Sequence, residues 1–553
     1  MATFSSKKRC KIISELKNGQ LEILIIGGGI TGAGISLDAT QRGLRTGLIE
    51  MQDFAAGTSS RSTKLIHGGL RYLKQLEVTL VAEVGKERAI VYENGPHVTT
   101  PEWMMLPFYK GGTFGPLSTS VGLRVYDFLA GVKKSERRKM FSSSTAIEKE
   151  PLLAEKDLIG AGYYVEYKTD DARLTMEVVK KAVELGTIAL NYVKANDFIY
   201  ENDKLIGVMV EDQISGASFP IYAKKIINAT GPWVDKLREK DGSKQGKTLH
   251  LTKGVHLVFS KERFPLQQAI YFDAKDKRMI FAIPRGNKTY VGTTDTDYDG
   301  DITNPKVSAE DRDYLLAAAN DMFPTLALSE ADVESSWAGL RPLIAEDGKN
   351  PDEISRKDEI FIADSGLISM AGGKLTGYRK MAEDVVDLVV KQLKVEEGIV
   401  FSQSETKHLP ISGGDVGGAV GFVNFKKEKE LKGQEIGLAK DVASQLVQRY
   451  GSNIDKLYQI FIDNIKNAIK AKIDPVVLAE LIYAMDYEAA YKPVDFFIRR
   501  TGALFFDIAW VQQHKESVIH YMSLTLGWTD EQTKMYVNDL ERQIQDASLG
   551  MLS

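Results

Sequence analysis

An apolar run near the start of the chain is broken by glycines and followed by a second apolar run. Residues 21–26 predict a buried strand, the glycines at 27–29 end that strand, and a helix is expected over about 33–42. Residues 46–50 predict a second strand that ends at Glu50. The strand, the glycine turn, the helix and the second strand are therefore expected to form a βαβ unit.

The rest of the chain divides into regions of different periodicity. Segments in which apolar and polar residues alternate are followed by segments in which apolar residues recur at helical spacing. This order predicts an α/β protein with more than one layer. The expected elements, in chain order, are a helix over about 76–92, a helix over 176–186 with a meander of strands after it, strands over 250–345, two short strands within 359–373, an amphipathic helix over 377–393, and helices from about residue 405 onward.

Composition narrows the class of protein. A chain of 553 residues with 43% hydrophobic and 26% charged residues is expected to be a soluble globular protein of two to four domains. A net charge of −4 argues against a general nucleic-acid binder. Cys10 is the only cysteine, which excludes an intrachain disulfide and a cysteine-based metal site. The expected compartment is the cytoplasm, with any membrane contact made at the surface of the bilayer.

The glycine turn has the spacing of a dinucleotide-binding motif. Gly27, Gly29 and Gly32 follow a strand and open a helix, and Glu50 stands at the end of the next strand. The first glycine permits a tight turn, the second a close approach of the pyrophosphate, and the third the packing of helix on strand. Glu50 is expected to accept hydrogen bonds from a ribose.

The motif alone does not separate NAD from FAD. After Glu50 the chain enters a polar loop, and the nucleotide-binding pattern returns only at two distant points, residues 226–233 and 368–380. Such returns suit a long FAD that needs a second wall for its isoalloxazine. The glycine turn at 372–373 comes before a helix whose N-terminus is expected to face the flavin edge where negative charge develops on reduction.

Several short segments together resemble one family. Taken as a set, they are similar to the FAD-dependent glycerol-3-phosphate dehydrogenases of the aerobic bacterial, quinone-linked respiratory type. The likeness is close over about residues 20–400 and looser in the helical tail. The segments that carry it are residues 58–60, 64–72, 228–233, 253–256, 292–295, 341–343 and 372–379.

The resemblance implies a fold class and domain boundaries. The fold expected is α/β, with a Rossmann-like FAD-binding domain interleaved with a β-rich substrate domain and followed by an all-α C-terminal domain. The boundaries expected are an N-terminal tail at 1–20, an FAD-binding domain at about 21–75, 165–250 and 350–400, a substrate domain at about 76–164 and 251–349, and a helical domain at 405–553.

The resemblance also implies a reaction. It is the oxidation of sn-glycerol 3-phosphate to dihydroxyacetone phosphate, with hydride transfer from C2 to the flavin N5 and electrons passed to a membrane quinone. A phosphate dianion needs cations, and arginine and lysine serve this purpose in different ways. Arg71 and Lys374 each stand beside a glycine-rich turn rather than on a regular charged face. The substrate-binding residues expected are Arg71, Tyr72, Arg341, Arg356 and Lys374.

Two histidines are candidates for the base that takes the hydroxyl proton. His67 and His256 both lie in matching segments, and an ordinary imidazole pKa suits proton transfer near neutrality. We expect His256 to contact the substrate and His67 to contact FAD, while Arg341 pairs with the base and stabilises the developing alkoxide. The sequence leaves the choice of base open.

The resemblance implies a larger set of cofactor-binding residues, drawn from the same segments and from the βαβ unit. They are Gly27, Gly29, Thr31, Gly32, Glu50, Thr58, Ser59, Ser60, His67, Gly68, Val193, Thr230, Gly231, Trp233, Gly373, Lys374, Leu375 and Thr376.

Other functions are weighed against this one. An oxidase that passes electrons to O₂ shares the motifs but commonly carries an insertion that is not evident here. A non-catalytic or RNA-modifying flavin protein is a more remote alternative, and no nucleic-acid partner is expected. The aspartates at 295, 297 and 299 begin like a calcium loop, but Lys306 stands where a glutamate is needed, so an acidic turn and no metal are expected.

The remaining expectations concern partners and place. The resemblance implies peripheral attachment to the inner face of the cell membrane. Our hypothesis is that the basic N-terminus and the loop at 133–139, or an apolar patch of the helical tail, lie on anionic lipid. A homodimer is the assembly considered.

Overall fold

The protein is described by a computed structural model that covers residues 4–67, 78–116, 119–120, 122–124, 136–346 and 358–549. These residues form two mixed sheets, the helices that pack on them, and a helical C-terminal region. The strands are β1 (Leu21–Ile26), β2 (Thr46–Ile49), β3 (Leu65–Ile66), β4 (Thr99–Tyr109), β5 (Lys139–Ser142), β6 (Leu158–Thr169), β7 (Ile188–Leu190), β8 (Val193–Glu201), β9 (Lys204–Asp212), β10 (Ser218–Asn228), β11 (Lys247–Ser260), β12 (Ala269–Asp273), β13 (Met279–Arg285), β14 (Lys288–Asp297), β15 (Val333–Glu346), β16 (Glu359–Ile362) and β17 (Ile368–Ala371).

The first sheet has a parallel centre. Its order is β16-β17-β10-β1-β2-β7, and only β16 is antiparallel to its neighbour on this path. The apolar residues of β1 are buried on both faces, as a parallel sheet covered by helices requires. Strands β8 and β9 extend the far end of β10 as an antiparallel meander. The carboxyl ends of β1 and β10 therefore meet at one edge, where nucleotides bind in such sheets.

The second sheet is mainly antiparallel. Its order is β15-β11-β14-β13-β12-β4-β6-β3, with β5 paired to β6. Strand β11 lies between β14 and β15, so His256 faces Gly292 on one side and Trp337 on the other. Strand β12 joins β4 in parallel, which links segments distant in sequence.

Helices pack on both sheets and build the C-terminal region. They are α1 (Arg9–Asn18), α2 (Ile30–Gln41), α3 (Val78–Asn94), α4 (Ser143–Lys149), α5 (Asp171–Leu185), α6 (Val234–Lys240), α7 (Ala309–Met322), α8 (Tyr378–Glu397), α9 (Gly418–Glu435), α10 (Lys440–Tyr450), α11 (Ile454–Ala471), α12 (Pro475–Tyr487), a π-helix (Asp495–Arg500), α13 (Ala503–Phe506), α14 (Ile508–Leu526) and α15 (Asp530–Ala547).

The C-terminal region packs against the second sheet. Ser335 Oγ on β15 donates a hydrogen bond to the Phe505 carbonyl oxygen at 2.5 Å, and Ser336 Oγ donates to that of Ala547 at 3.1 Å. Trp337 lies with its ring centroid 5.4 Å from those of Phe505 and Phe506. One apolar core thus includes residues of β15 and of the C-terminal helices.

Two helices begin earlier than the sequence pattern indicated. Helix α2 starts at Ile30 rather than near residue 33, because the Ile30 amide donates to Ser59 Oγ at 2.9 Å. Helix α5 starts at Asp171, because the side chain of Asp170 accepts from the Arg173 amide and caps the first turn. In both places a side-chain cap outside the apolar pattern sets the boundary.

The segment expected to be a tail contains helix α1 and is tied to the rest of the fold. Arg9 is buried, and its guanidinium donates to Asp212 Oδ1 at 2.5 Å and to the Tyr192 carbonyl oxygen at 3.2 Å. Lys7 forms an ion pair with Asp486 at 2.8 Å. These two charges are thereby committed to the protein itself rather than free for a membrane.

Part of the segment that was expected to be an acidic turn is a strand. Strand β14 continues to Asp297, so residues 295 and 297 lie on a strand, and Asp297 Oδ1 is 2.8 Å from His250 Nε2. In the part of the chain that the structure describes, no helix is long and apolar enough to cross a bilayer.

Candidate active site

A cavity of about 800 Å³ opens where the two sheets meet. Its wall combines the turn after β1 with segments that follow or belong to strands of both sheets. Most of the wall comes from residues that lie within the segments 26–31, 50–63, 193–196, 229–233, 276–281, 339–343 and 372–376. A space of this size and mixed polarity is typical of a cofactor and substrate site.

The glycine turn has the geometry that its motif requires. Gly27 has a φ of +112°, a conformation that favours glycine, and a Cβ there would lie 2.5 Å from the Ala229 carbonyl oxygen. A Cβ on Gly32 would lie 1.8 Å from the Gly27 carbonyl oxygen. Gly27, Gly29 and Thr31 line the cavity, whereas Gly32 lies behind the turn and lets the helix pack on it.

Glu50 lines the cavity, and two backbone amides hold its carboxylate in place. Its Oε2 accepts from the Gly28 amide at 2.7 Å and its Oε1 from the Gln52 amide at 2.8 Å. Burial raises the pKa of this carboxyl, although both amide bonds act in the opposite direction. The Val193 amide donates to the Glu50 carbonyl oxygen at 2.7 Å, which brings Val193 to the same part of the wall.

The 3-10 turn Thr58–Ser60 lies beside the glycine turn and contributes Thr58 and Ser59 to the wall. Ser59 Oγ accepts from the Ile30 amide and thus ties this turn to the start of α2. Thr58 Oγ1 donates to the Leu340 carbonyl oxygen at 2.6 Å, which fixes β15 beside it. Ser60 is buried and lies outside the cavity wall, where its carbonyl oxygen accepts from Lys64 Nζ at 2.9 Å.

Two further segments bring expected cofactor residues to the cavity. Thr230, Gly231 and Trp233 follow β10, and Thr230 Oγ1 donates to Asn228 Oδ1 at 2.7 Å. After β17, Gly373 has a φ of +115°, and a Cβ there would come within 3.8 Å of Thr31 Oγ1. The second glycine turn therefore lies against the first, although the two are far apart in sequence.

The segment that follows Gly373 reaches His67. Thr376 Oγ1 donates to the His67 carbonyl oxygen at 3.2 Å, and Lys374 and Leu375 line the cavity nearby. The pKa of His67 is lowered to about 4, first by burial and then by the positive charges of Arg341 and Lys374. His67, Arg341 and Lys374 therefore lie together in the cavity as a neutral imidazole beside two cations.

His256 lies deeper in the fold. Its ring stacks on Trp337 with centroids 4.6 Å apart, and its Nε2 is 3.1 Å from Thr63 Oγ1. Among the described residues its Nδ1 has no hydrogen-bond partner. Burial, with a smaller contribution from the charge of Lys64, lowers the pKa of His256 to about 3. His256 is therefore neutral, and although it lines the cavity it is almost wholly buried.

Sequence reasoning missed an ion pair beside His256. Lys64 Nζ is 2.5 Å from Asp171 Oδ1, and Asp171 Oδ2 accepts from Ser62 Oγ at 2.7 Å. Both Lys64 and Asp171 are buried. Lys64 belongs to the segment that carries the resemblance, but Asp171 reads only as an acidic residue at the start of a helix. No periodic signal connects the two.

Four expected site residues lie outside the described residues: Gly68, Arg71, Tyr72 and Arg356. Within the residues that are described, no group of three or more His, Cys, Asp or Glu side chains could hold a metal ion.

Comparisons with known proteins identify the family. Residues 22–379 match the model for FAD dependent oxidoreductases, and residues 404–533 match that for the C-terminal domain of alpha-glycerophosphate oxidase. The chain belongs to the FAD-dependent oxidoreductase family. The resemblance found in the sequence and the expected α/β fold with a helical C-terminal domain are confirmed.

This oxidoreductase has similar relatives over its whole length. The aerobic glycerol-3-phosphate dehydrogenase of Bacillus subtilis is 57% identical over 98% of both chains. That of Staphylococcus haemolyticus is 55% identical over 99% of this chain and 98% of its own. The solved structure of the glycerol-3-phosphate dehydrogenase from Bacillus halodurans, complexed with FAD, matches with a TM-score of 0.87, 50% identity and 99% coverage of both chains.

The residues of this oxidoreductase fit the cofactor of its family. The start of α2 offers backbone amides to a pyrophosphate, and Gly29 leaves space beside Ser59, where a Cβ would lie 3.1 Å from Ser59 Oγ. Glu50, Val193, Trp233 and the turn at 372–376 all line the cavity. An extended dinucleotide can thus contact both glycine turns at once.

Proposed function

We propose that this oxidoreductase converts sn-glycerol 3-phosphate into dihydroxyacetone phosphate. The observation that carries the proposal is the grouping of Arg341, Lys374 and His67 in the cavity that the two glycine turns line. Two cations suit a phosphate dianion, and a neutral imidazole suits the proton of a neighbouring hydroxyl. The names of the full-length relatives support the same substrate.

The oxidation removes two hydrogens from one carbon centre. Bound FAD would take the hydride from C2, while the hydroxyl proton needs an acceptor in the protein. His67 is the acceptor that we favour, because it lines the same cavity as Arg341 and Lys374, whose charges help to keep its imidazole neutral. A phosphate dianion bound by these cations would offset their charge and raise the pKa of His67, so the substrate would strengthen its own base.

His256 is the weaker candidate for this role. The causes of its lowered pKa are burial and Lys64, and Lys64 is already paired with Asp171. Its Nε2 is engaged with Thr63 Oγ1. We therefore assign His256 a role in holding the cavity wall. The predicted contributions of Arg71, Tyr72 and Arg356 to phosphate binding stay predictions that rest on the family resemblance.

The proposed electron acceptor is a membrane quinone, reached by peripheral attachment. Helix α9 supports this, because Val420, Val423 and Leu431 are exposed at spacings of three and eight residues along one face, with exposed Lys427 between the last two. An apolar face with basic residues suits anionic lipid. Flotation with anionic liposomes should carry the protein upward at low salt, and replacing these three apolar residues by serine should leave it in the soluble fraction.

An anaerobic visible spectrum tests the reaction. Adding sn-glycerol 3-phosphate should bleach the flavin bands, and a quinone analogue should restore them. Rapid recovery in air with formation of peroxide would instead identify an oxidase, which the match to the C-terminal domain of alpha-glycerophosphate oxidase keeps as the second candidate. Flavin that glycerol 3-phosphate never bleaches would overturn the proposed substrate.

A further inference from the structure

Asp53 is buried three residues after Glu50, behind the cofactor cavity. Its carboxylate accepts hydrogen bonds from Arg499 Nε at 2.6 Å and from Arg500 Nη1 at 2.7 Å and Nη2 at 2.9 Å. Asn191 Nδ2 donates to Asp53 Oδ1 at 2.9 Å. Both arginines belong to the π-helix of the C-terminal region, more than 400 residues away in sequence.

The segment that carries Asp53 is joined to the first glycine turn. Glu50 Oε2 accepts from the Gly28 amide at 2.7 Å, and the Ala55 amide donates to the Gly28 carbonyl oxygen at 3.0 Å. The Phe54 ring lies so close that a Cβ on Gly28 would be 2.5 Å from its Cδ1. Any shift of residues 50–55 must therefore move the glycine turn and Glu50, both of which line the cavity.

The two arginines are themselves fixed. Arg499 Nη2 donates to Asp495 Oδ1 at 2.6 Å, and the same oxygen accepts from Tyr192 OH at 2.5 Å. Arg500 Nη2 donates to the Glu488 carbonyl oxygen at 2.7 Å. Burial would raise the pKa of Asp53, but the charges of Arg500 and Arg499 outweigh it and hold this pKa at about 2. The carboxylate is therefore charged at every working pH.

We propose that Arg499 and Arg500 are positioning residues for the cofactor: through Asp53 they hold residues 50–55 against Gly28 and thereby set the affinity for FAD. A buried ion pair adds little net stability, but removing one partner leaves the other charge buried without a counter-charge, which is strongly unfavourable. The expected response of the chain is to move the segment 50–55 toward solvent. The C-terminal helical region then contributes to a cavity that none of its described residues lines.

The affinity of the apoprotein for FAD, measured by quenching of flavin fluorescence, tests the proposal. Asp53→Asn and Arg500→Gln should each raise the Kd for FAD at least tenfold. The matched control is Arg449→Gln, because Arg449 forms a half-buried ion pair with Glu480 at 2.5 Å inside the same helical region. Arg449 also donates to the Thr501 carbonyl oxygen at 3.3 Å, so this variant disturbs the end of the π-helix while the pairing of Asp53 stays intact. The control should change the Kd less than twofold, even where thermal unfolding of the apoprotein shows a similar loss of stability.

Conservative variants cover the case in which Asp53→Asn does not fold. Asp53→Glu and Arg499→Lys keep every charge and change only the geometry, and both should speed FAD release from the diluted holoenzyme at least threefold. A Kd or release rate within twofold of the unmodified protein in these variants would overturn the proposal, as would an equal effect of Arg449→Gln. No substrate is added, so the outcome is independent of the substrate proposed above.

Discussion

The imidazole of His256 stacks on the indole of Trp337, with centroids 4.6 Å apart and planes 10° from parallel. The two residues face each other across β11 and β15. On the other side of β11, Gly292 faces His256, and a Cβ at that position would lie 2.0 Å from the imidazole Cδ2. The stack therefore requires glycine at position 292.

Gly292→Ala should push the imidazole out of this stack. Because the ring is enclosed by Trp337 and by buried strands, we expect overpacking to destabilise the protein by about 1–3 kcal/mol and to lower kcat/KM at least tenfold. Steady-state kinetics and denaturant unfolding would measure both effects.

Gly207→Ala is the matched control for this variant. Gly207 also lies on a strand, and a Cβ there would meet the Ile221 carbonyl oxygen at 2.8 Å, but Gly207 does not line the cavity. It should lower stability and leave kcat/KM unchanged. Unaltered kinetics in Gly292→Ala would contradict a role of His256 in shaping the cavity.

The sequence was sufficient for those parts of the fold that local patterns encode. The strand, glycine turn and second strand of residues 21–49 were predictable, because steric limits on glycine and burial of the apolar run act within a short segment. The start of α2 was not, since its cap comes from Ser59. A side chain supplied by a distant turn leaves no periodic trace in the helix itself.

The same limit applies to the candidate site. His67, Arg341 and Lys374 could be singled out because they stand beside glycine turns or in segments that resemble a family. The pairing of Lys64 with Asp171, and of Asp53 with the arginines of the π-helix, depends on how distant segments fold together. The residues next to a charged residue in the sequence do not indicate which distant residue it will pair with.

His67→Asn should lower kcat more than it changes KM. A general base contributes about 10²–10⁴-fold to a rate, and asparagine keeps the polarity but cannot accept the proton productively. We expect kcat to fall at least a hundredfold, with FAD still bound. Single-turnover bleaching of the flavin under anaerobic conditions would measure the step directly.

His256→Asn provides the comparison. If His67 is the base, the variant at His256 should retain a measurable fraction of the bleaching rate and should lose stability as well. A larger loss of rate in His256→Asn than in His67→Asn, with both proteins folded and loaded with FAD, would reverse the two assignments.

Arg341→Lys should weaken binding of the phosphorylated substrate. Lysine keeps the charge but loses the planar fork that matches a phosphate, so we expect KM for sn-glycerol 3-phosphate to rise about tenfold or more. Oxidation of glycerol, which lacks the phosphate, should change less than twofold. Lys224→Met, which removes a surface cation paired with Glu397 at 2.5 Å, should alter neither value. Equal losses for both substrates would place Arg341 away from the phosphate.

His97, which does not line the cavity, is expected to make the stability of the protein depend on pH. The residue is buried, and among the described residues the backbone of Ser412 is the one hydrogen-bonding group that favours its protonated ring. A Cβ on Gly413 would lie 2.7 Å from its Nε2, so the ring is tightly enclosed. Burial, together with the charges of Lys180 and Arg173, lowers the pKa of His97 to about 3.

The sign of the effect follows from proton uptake. Between its ordinary pKa of about 6.5 and the folded value of about 3, His97 binds a proton only in the unfolded chain, so the free energy of unfolding must fall as pH falls through this window. One such group contributes a slope of about 1.4 kcal/mol per pH unit. Guanidinium unfolding of His97→Gln at pH 7 and pH 5 should therefore show a pH dependence smaller by about 2 kcal/mol than that of the unmodified protein.

The variant is expected to be less stable than the unmodified protein at pH 7, where the neutral ring packs best, and the difference should narrow at pH 5. An identical pH dependence in the two proteins would contradict this prediction. It would mean that His97 has the same pKa in the folded and the unfolded chain, and so takes up its proton in the folded protein in spite of its burial.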